Sequence, residues 1–241
     1  MHMSKVAIVT GAAKGLGREI VIALTNQGYT CVIHYNKSKK EADALLRLIK
    51  KRSPDSFTIS TNLKKEKDVD VMFRKIYSIF PKIDLLVNNV GNFLYKKFSE
   101  TSNEEFRDLI ESNIYSTIFT SRAVLSTMRR RKRGIIVNIG AVGADNPKIL
   151  EKSTVYYIAK TAVYSLTKIM AWEESRNGIH VNMISPASLA NDIFQPSDFP
   201  MGRSPNYDDV IKALLFLISD DAYYINGANI EVAGGFIPGM K

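Results

Sequence analysis

The chain has 241 residues, 33 of them Lys or Arg against 24 Asp or Glu, for a formal net charge of +9. Its 45% hydrophobic and 24% charged content excludes a low-complexity or fibrous chain and leaves room for an α/β domain with a substantial core. No run of about 18 apolar residues predicts a membrane span, the N-terminal Met-His-Met-Ser-Lys shows no signal-peptide core, and the lone Cys31 excludes an internal disulfide, all of which fits a cytoplasmic location and a buried thiol.

In chain order, apolar, β-branched runs alternate with helical patterns. Residues 6–10 read as a first strand, followed by a helix over 16–27, a strand at 30–35, a helix over 39–52 and a strand at 57–61. A helix over 67–80, a strand at 85–88 and one long helix over 103–132 come next. Strands at 134–139, 180–185 and 228–232 enclose helices at 154–176 and 208–219. Strands this uniformly apolar are buried on both faces, and strand–helix alternation throughout predicts an α/β fold, one doubly wound parallel sheet of seven strands in a single domain. The irregular stretches 141–153 and 186–206 follow strand ends, where such sheets place their ligand crevice.

The first strand opens into Gly11-Ala12-Ala13-Lys14-Gly15-Leu16-Gly17 and then a helix. Glycines there permit a tight turn and let a pyrophosphate approach backbone amides at the helix N-terminus. The second strand ends Ile33-His34-Tyr35-Asn36-Lys37-Ser38-Lys39-Lys40, with no acid before Glu41. A carboxylate would bond a ribose 2′-hydroxyl and repel a 2′-phosphate, so its absence, with Lys14 in the loop, favours NADP(H) over NAD(H).

Tyr156 and Lys160 lie i and i+4 on the helix predicted at 154–176, hence on one face. An ammonium near a phenol favours the phenolate and moves its pKa toward working pH, which suits proton transfer to a carbonyl oxygen. Upstream, Ile139-Gly140-Ala141-Val142-Gly143 carries no hydroxyl.

The basic run Arg129-Arg130-Arg131-Lys132-Arg133 ends a helical pattern, where cations complement the helix dipole. A polyanion-binding patch is the alternative. No zinc-ligand spacing or aromatic-basic RNA motif accompanies it, so no metal, no nucleic acid and no membrane partner is expected.

Together, the glycine loop with Thr10, Asn88-Asn89-Val90-Gly91, Asn113, Tyr156-x-x-x-Lys160, Val181-Asn182 and Ile225-Asn226-Gly227…Glu231-Val232-Ala233-Gly234-Gly235 resemble a short-chain dehydrogenase/reductase over almost the full length, in its 3-oxoacyl-[acyl-carrier-protein] reductase-like branch. The resemblance implies a Rossmann-type fold, NADP(H), a homotetramer, and a small-molecule or acyl-thioester substrate whose carbonyl is reduced. It implies that Asn113 holds a proton-relay water, Tyr156 is the general acid/base, and Lys160 holds the nicotinamide ribose and tunes Tyr156. The implied cofactor contacts are Gly11, Ala13, Lys14, Gly15, Leu16, Gly17, Tyr35, Asn36, Lys37, Asn62, Leu63, Asn89, Gly91, Tyr156, Lys160, Pro186, Ala187 and Leu189. The implied substrate contacts are Phe93, Ala141, Ser188 and Asn191, with a lid over 186–206 whose Ile193, Phe194, Phe199 and Met201 either line a pocket or cover the core.

The chain departs from the family pattern at Ala141, where a substrate-orienting serine is expected, at Ala187, where glycine is expected, and at Asn191, where threonine is expected. A lost donor to a developing oxyanion costs about 10²–10³ in rate. Three readings follow. Ser153, Thr154 or Ser188 supplies a hydroxyl instead. Or the substrate is a C=N bond in a pterin ring beside Phe93, as in a pteridine reductase. Or the fold is an NADP(H)-binding sensor or scaffold, against which the retained Asn113 and Tyr156 argue.

Overall fold

Strands without a polar face must be covered on both sides, and the chain's apolar runs become the centre of a sheet. The computed structural model describes residues 4–146, 151–189 and 194–239. β1 (Val6–Val9), β2 (Thr30–Tyr35) and β4 (Leu85–Asn88) are buried at every position. With β3 (Phe57–Ser60), β5 (Gly134–Ile139), β6 (Ile179–Pro186) and β7 (Asn229–Val232) they form one seven-stranded sheet in the order β3-β2-β1-β4-β5-β6-β7. The β1–β2, β1–β4, β2–β3 and β6–β7 pairs are parallel, with Val6 opposite Thr30 and Ala7 opposite Leu85. The strand order reverses beside β1, the switch point at which open α/β sheets form a crevice outside the strands' carboxyl ends.

The helices are α1 (Gly15–Asn26), α2 (Lys39–Ile49), α3 (Glu66–Ile79), α4 (Asn103–Ile110), α5 (Ser116–Arg131), α6 (Thr154–Glu174) and α7 (Tyr207–Leu217). Strand and helix boundaries agree with the sequence expectation to within a few residues, except in the expected helix over 103–132. That helix is interrupted by a π-turn at Glu111–Tyr115. Side-chain donors crowd this turn: Asn113 Nδ2 donates to Leu109 O at 3.0 Å and Ser112 Oγ to the same carbonyl at 3.4 Å. Side chains take the acceptor that the regular main-chain ladder would use, and the helix widens by one residue.

The chain groups into two compact units, Met1–Val90 with Tyr115–Val137 and Glu174–His180, and Gly91–Ile114 with Asn138–Glu173 and Val181–Lys241. The first has an aliphatic core that includes Ile8, Ile20, Leu24, Ile33, Ile76 and Leu85. In the second, Val142, Ala187, Phe199, Ala233 and Phe236 cluster with Phe194 against them, and Phe236 lies 5.1 Å from both other rings. Phe194 and Phe199 of the expected lid therefore cover core, whereas Met201 is exposed. Ile193 and Asn191 lie outside the described residues.

The basic run is mostly tied down. Arg129 Nε donates to the buried Glu174 carboxylate at 2.8 Å, Arg131 donates to Ile83 O at 2.9 Å and pairs with Asp84, and Lys132 Nζ donates to Asn177 Oδ1 at 3.1 Å. Three of its five cations brace the first unit, which supports the helix-end reading. Among the described residues no helix is long and apolar enough to cross a membrane, and no cluster of His, Cys, Asp or Glu could hold a metal ion.

Candidate active site

In the first unit, β1 delivers the chain to its turn at Thr10, whose hydroxyl is a junction. Thr10 Oγ1 accepts the amides of Asn89 at 2.9 Å and Val90 at 3.1 Å, and Asn89 Nδ2 donates back to the carbonyls of Thr10 at 3.0 Å and Gly11 at 3.3 Å. The loop is thus braced against the end of β4. A Cβ at Gly17 would stand 2.6 Å from Gly11 O and 2.9 Å from Ala12 Cα, so only glycine lets α1 begin this close to the loop. The first turn of α1 contains no acid, leaving its positive end open to an anion.

Around this loop, Ala13 and Leu16 are buried, and Lys14 is exposed with its ammonium 3.6 Å from Glu41. At the end of β2, Tyr35 is buried, while Asn36 and Lys37 are exposed. Asn62 Oδ1 accepts the Lys64 amide at 3.2 Å and Leu63 is buried beside it in sequence. The expected cofactor residues of this unit therefore divide into a backbone cradle (Gly11, Gly15, Gly17), a polar exposed edge (Lys14, Asn36, Lys37) and buried supports (Ala13, Leu16, Tyr35, Leu63). Sequence reasoning missed His34 and gave Thr10 no role. The available signal was a polar side chain inside or at the end of an otherwise apolar strand.

In the second unit, Gly91, Asn113 and Lys160 converge. A Cβ on Gly91 would collide with Asn113 Oδ1, stand 3.0 Å from Asn113 Cγ and come within 3.2 Å of Lys160 Nζ. Asn113 is fixed by donating to Asn92 O and Leu109 O, both at 3.0 Å, and the π-turn that carries it turns its side chain toward Gly91. Lys160 is buried and donates to Ile139 O at 2.9 Å. Its ammonium lies 5.6 Å from the centre of the Tyr156 ring. Phe93, half-exposed, meets Tyr156 edge-on at 4.8 Å, and Tyr95 stacks on Phe93 at 6.5 Å. A widened helix turn, the Tyr156 and Lys160 side chains of α6 and an aromatic wall thus meet at one place.

The electrostatics differ from the expectation. Burial, and then the neighbouring Tyr157, raise the Tyr156 pKa above that of a free tyrosine, while burial lowers that of Lys160 to about 8. Desolvation disfavours both charged forms, and Tyr156 shifts in the direction opposite to the one that i, i+4 spacing alone predicts. Tyr156 is therefore a neutral phenol at neutral pH, the form a proton donor needs.

Ala141 lies just past β5, in a loop held from several sides. Val142 N donates to Pro186 O at 3.1 Å, Gly143 N donates to Glu231 Oε1 at 2.7 Å, and Tyr157 Oη donates to Val142 O at 3.2 Å. Ala187 N donates to Val232 O at 3.0 Å, which fixes the segment that runs on to Ser188 and Leu189. Of the hydroxyls considered as stand-ins, Ser153 is buried with its Oγ unpartnered among the described residues, Thr154 is exposed, and Ser188 is half-buried.

A family model described as short chain dehydrogenase matches residues 5–199. The 3-oxoacyl-[acyl-carrier-protein] reductase FabG of Staphylococcus aureus is 32% identical over 249 residues, spanning 98% of this chain and 99% of that protein. The FabG of Haemophilus influenzae is 32% identical over 243 residues, spanning 96% and 97%. Among solved structures, a 7α-hydroxysteroid dehydrogenase complexed with NADH and 7-oxo glycochenodeoxycholic acid superposes with a TM-score of 0.89 at 27% identity, covering 98% of this chain and 96% of that one.

Proposed function

We propose that this chain, which belongs to the short-chain dehydrogenase family, is an NADP(H)-dependent oxidoreductase that reduces a carbonyl group with Tyr156 as proton donor. The observation that carries the reading is the convergence of Asn113 and Lys160 on Gly91 beside a neutral, half-buried Tyr156.

The residues present fit a dinucleotide. The glycine cradle leaves backbone amides at the start of α1 for a pyrophosphate, and a space that even one Cβ at Gly91 would fill adjoins Lys160, the residue that would hold the nicotinamide ribose. Bound NADPH supplies hydride. Tyr156 gives its proton to the oxygen that becomes a hydroxyl, so negative charge never accumulates there. Lys160, at 5.6 Å from the ring, stabilises the resulting phenolate while protonated. Asn113 holds a water that returns a proton. NADP(H) over NAD(H) is supported by Asn36 and Lys37 at the exposed end of β2 and by Lys14, although Glu41 shares that edge through its 3.6 Å contact with Lys14.

The likeness to proteins named 3-oxoacyl-[acyl-carrier-protein] reductase supports an acyl-thioester or small-molecule carbonyl substrate, and the family supports a homotetramer, for which Ile169 and Trp172 provide exposed apolar surface on α6. A second reading, reduction of a C=N bond in a pterin ring, is favoured by the exposed Phe93 face beside Tyr156 and by the missing hydroxyl at Ala141. Oxidation of NADPH and of NADH, followed at 340 nm with acetoacetyl thioesters, small diketones and dihydrobiopterin, tests both readings. Thioester or diketone turnover that prefers NADPH supports the first, and turnover of the pterin alone supports the second. NADH preference refutes the cofactor assignment.

A further inference from the structure

The first glycine of the nucleotide loop hangs on a histidine. His34 lies in β2, which is buried at every position. A strand interior tolerates an imidazole only when its polar atoms are matched. Both ring nitrogens are: Nδ1 stands 3.1 Å from Gly11 N, and Nε2 3.0 Å from Thr61 O. An amide N–H can only donate and a carbonyl can only accept, so the ring is the neutral Nε2–H tautomer, accepting at Nδ1 and donating at Nε2. Burial pushes its pKa down to about 4 against the smaller opposing pull of the bond to Thr61, which keeps Nδ1 an acceptor at neutral pH. The His34 carbonyl also accepts the Ala12 amide at 2.8 Å. One residue thus holds two consecutive amides of the loop and the chain segment leading into Asn62 and Leu63.

We propose that His34 is a positioning residue for the dinucleotide: it holds Gly11 in its left-handed conformation, at φ 62, so that the remaining turn presents its amides to the pyrophosphate, and it sets the spacing between that turn and the Asn62 segment. The proposal rests on the nucleotide-binding reading above. It predicts an effect on cofactor affinity with none on the chemical step, because His34 bonds to Gly11, Ala12 and Thr61 of the cradle.

The test titrates NADPH by fluorescence against wild type, His34→Leu and His34→Asn, and measures turnover at saturating NADPH. His34→Leu strands the Gly11 amide and the Thr61 carbonyl, and the dissociation constant rises about 10- to 100-fold with kcat unchanged. His34→Asn, which offers one acceptor and one donor, recovers part of the affinity. Wild-type affinity in His34→Leu overturns the proposal, as does an equal loss in both variants. Should His34→Leu fail to fold, the ¹⁵N imidazole spectrum of the wild type decides: the Nε2–H tautomer at pH 7 supports the proposal and a charged or Nδ1–H ring overturns it. Wild type that binds neither NADPH nor NADH defeats the nucleotide-binding reading itself, and the proposal with it. Normal wild-type binding with unaltered His34→Leu affinity defeats only the role of His34.

Discussion

Replacing Gly91 by alanine adds one carbon where the site has no room. Gly91 is not among the glycines with positive φ, so its backbone accepts alanine and the perturbation is steric. The new Cβ overlaps Asn113 Oδ1 and lies 3.0 Å from Asn113 Cγ and 3.2 Å from Lys160 Nζ, against ordinary carbon contacts of about 3.5–4.0 Å. Asn113 cannot swing away cheaply, because its Nδ2 bonds to Asn92 O and Leu109 O hold it in place. Overpacking of this kind costs about 1–3 kcal/mol, and displacing a positioned group by about 1 Å costs about 10²-fold in rate. Urea unfolding measures the first and NADPH-linked turnover the second. Asn113→Ala removes the obstruction, so Gly91→Ala costs less stability in that background, with a coupling of about 0.5–3 kcal/mol. Wild-type stability and rate in Gly91→Ala, or strict additivity in the double variant, would refute the reasoning.

Three further expectations come from separate places in the fold. The folded-state pKa of His34, about 4, lies below the 6.5 of a free imidazole, so the unfolded chain binds the extra proton between those limits. Its contribution is full above about pH 6.5 and falls by about 3 kcal/mol by pH 4, a slope that urea unfolding at pH 7 and 4.5 finds in wild type and not in His34→Asn. Ala141→Ser restores a hydroxyl to the loop after β5 and raises carbonyl turnover by about 10²-fold; no change points to a donor elsewhere, with Ser153 Oγ the first to remove. Arg129→Ala leaves the Glu174 carboxylate, whose side chain is 2% exposed beside a half-exposed arginine, without its cation and with the Asn177 Nδ2 bond remaining, and lowers stability by about 1–3 kcal/mol, read as a shift in the urea midpoint.

The strands were legible because burial on both faces writes itself as an unbroken apolar run, and the loop at Gly11–Gly17 was legible because close backbone approach demands glycine. The π-turn was not, since it depends on Asn113 finding Asn92 O across a distant loop as well as Leu109 O in its own helix. His34 escaped notice because its partners lie 23 and 27 residues away, beyond any local pattern. Short aromatic segments such as Phe194 and Phe199 read alike as pocket or core, and only the position of Phe236 makes them core. The direction of the Tyr156 pKa shift was not legible from spacing alone: i, i+4 geometry reports the nearby ammonium and says nothing of the desolvation that raises it.

The central claim is that Tyr156 donates a proton to a substrate reduced by bound NADPH. The most direct measurement is NADPH oxidation at 340 nm by wild type and Tyr156→Phe on whichever carbonyl or pterin substrate the wild type turns over, with NADPH affinity measured alongside. The account predicts that turnover falls by at least about 10²-fold while NADPH binding is retained. Turnover in Tyr156→Phe equal to wild type would contradict it, and wild type that binds NADPH yet turns over nothing would move the chain toward a cofactor sensor.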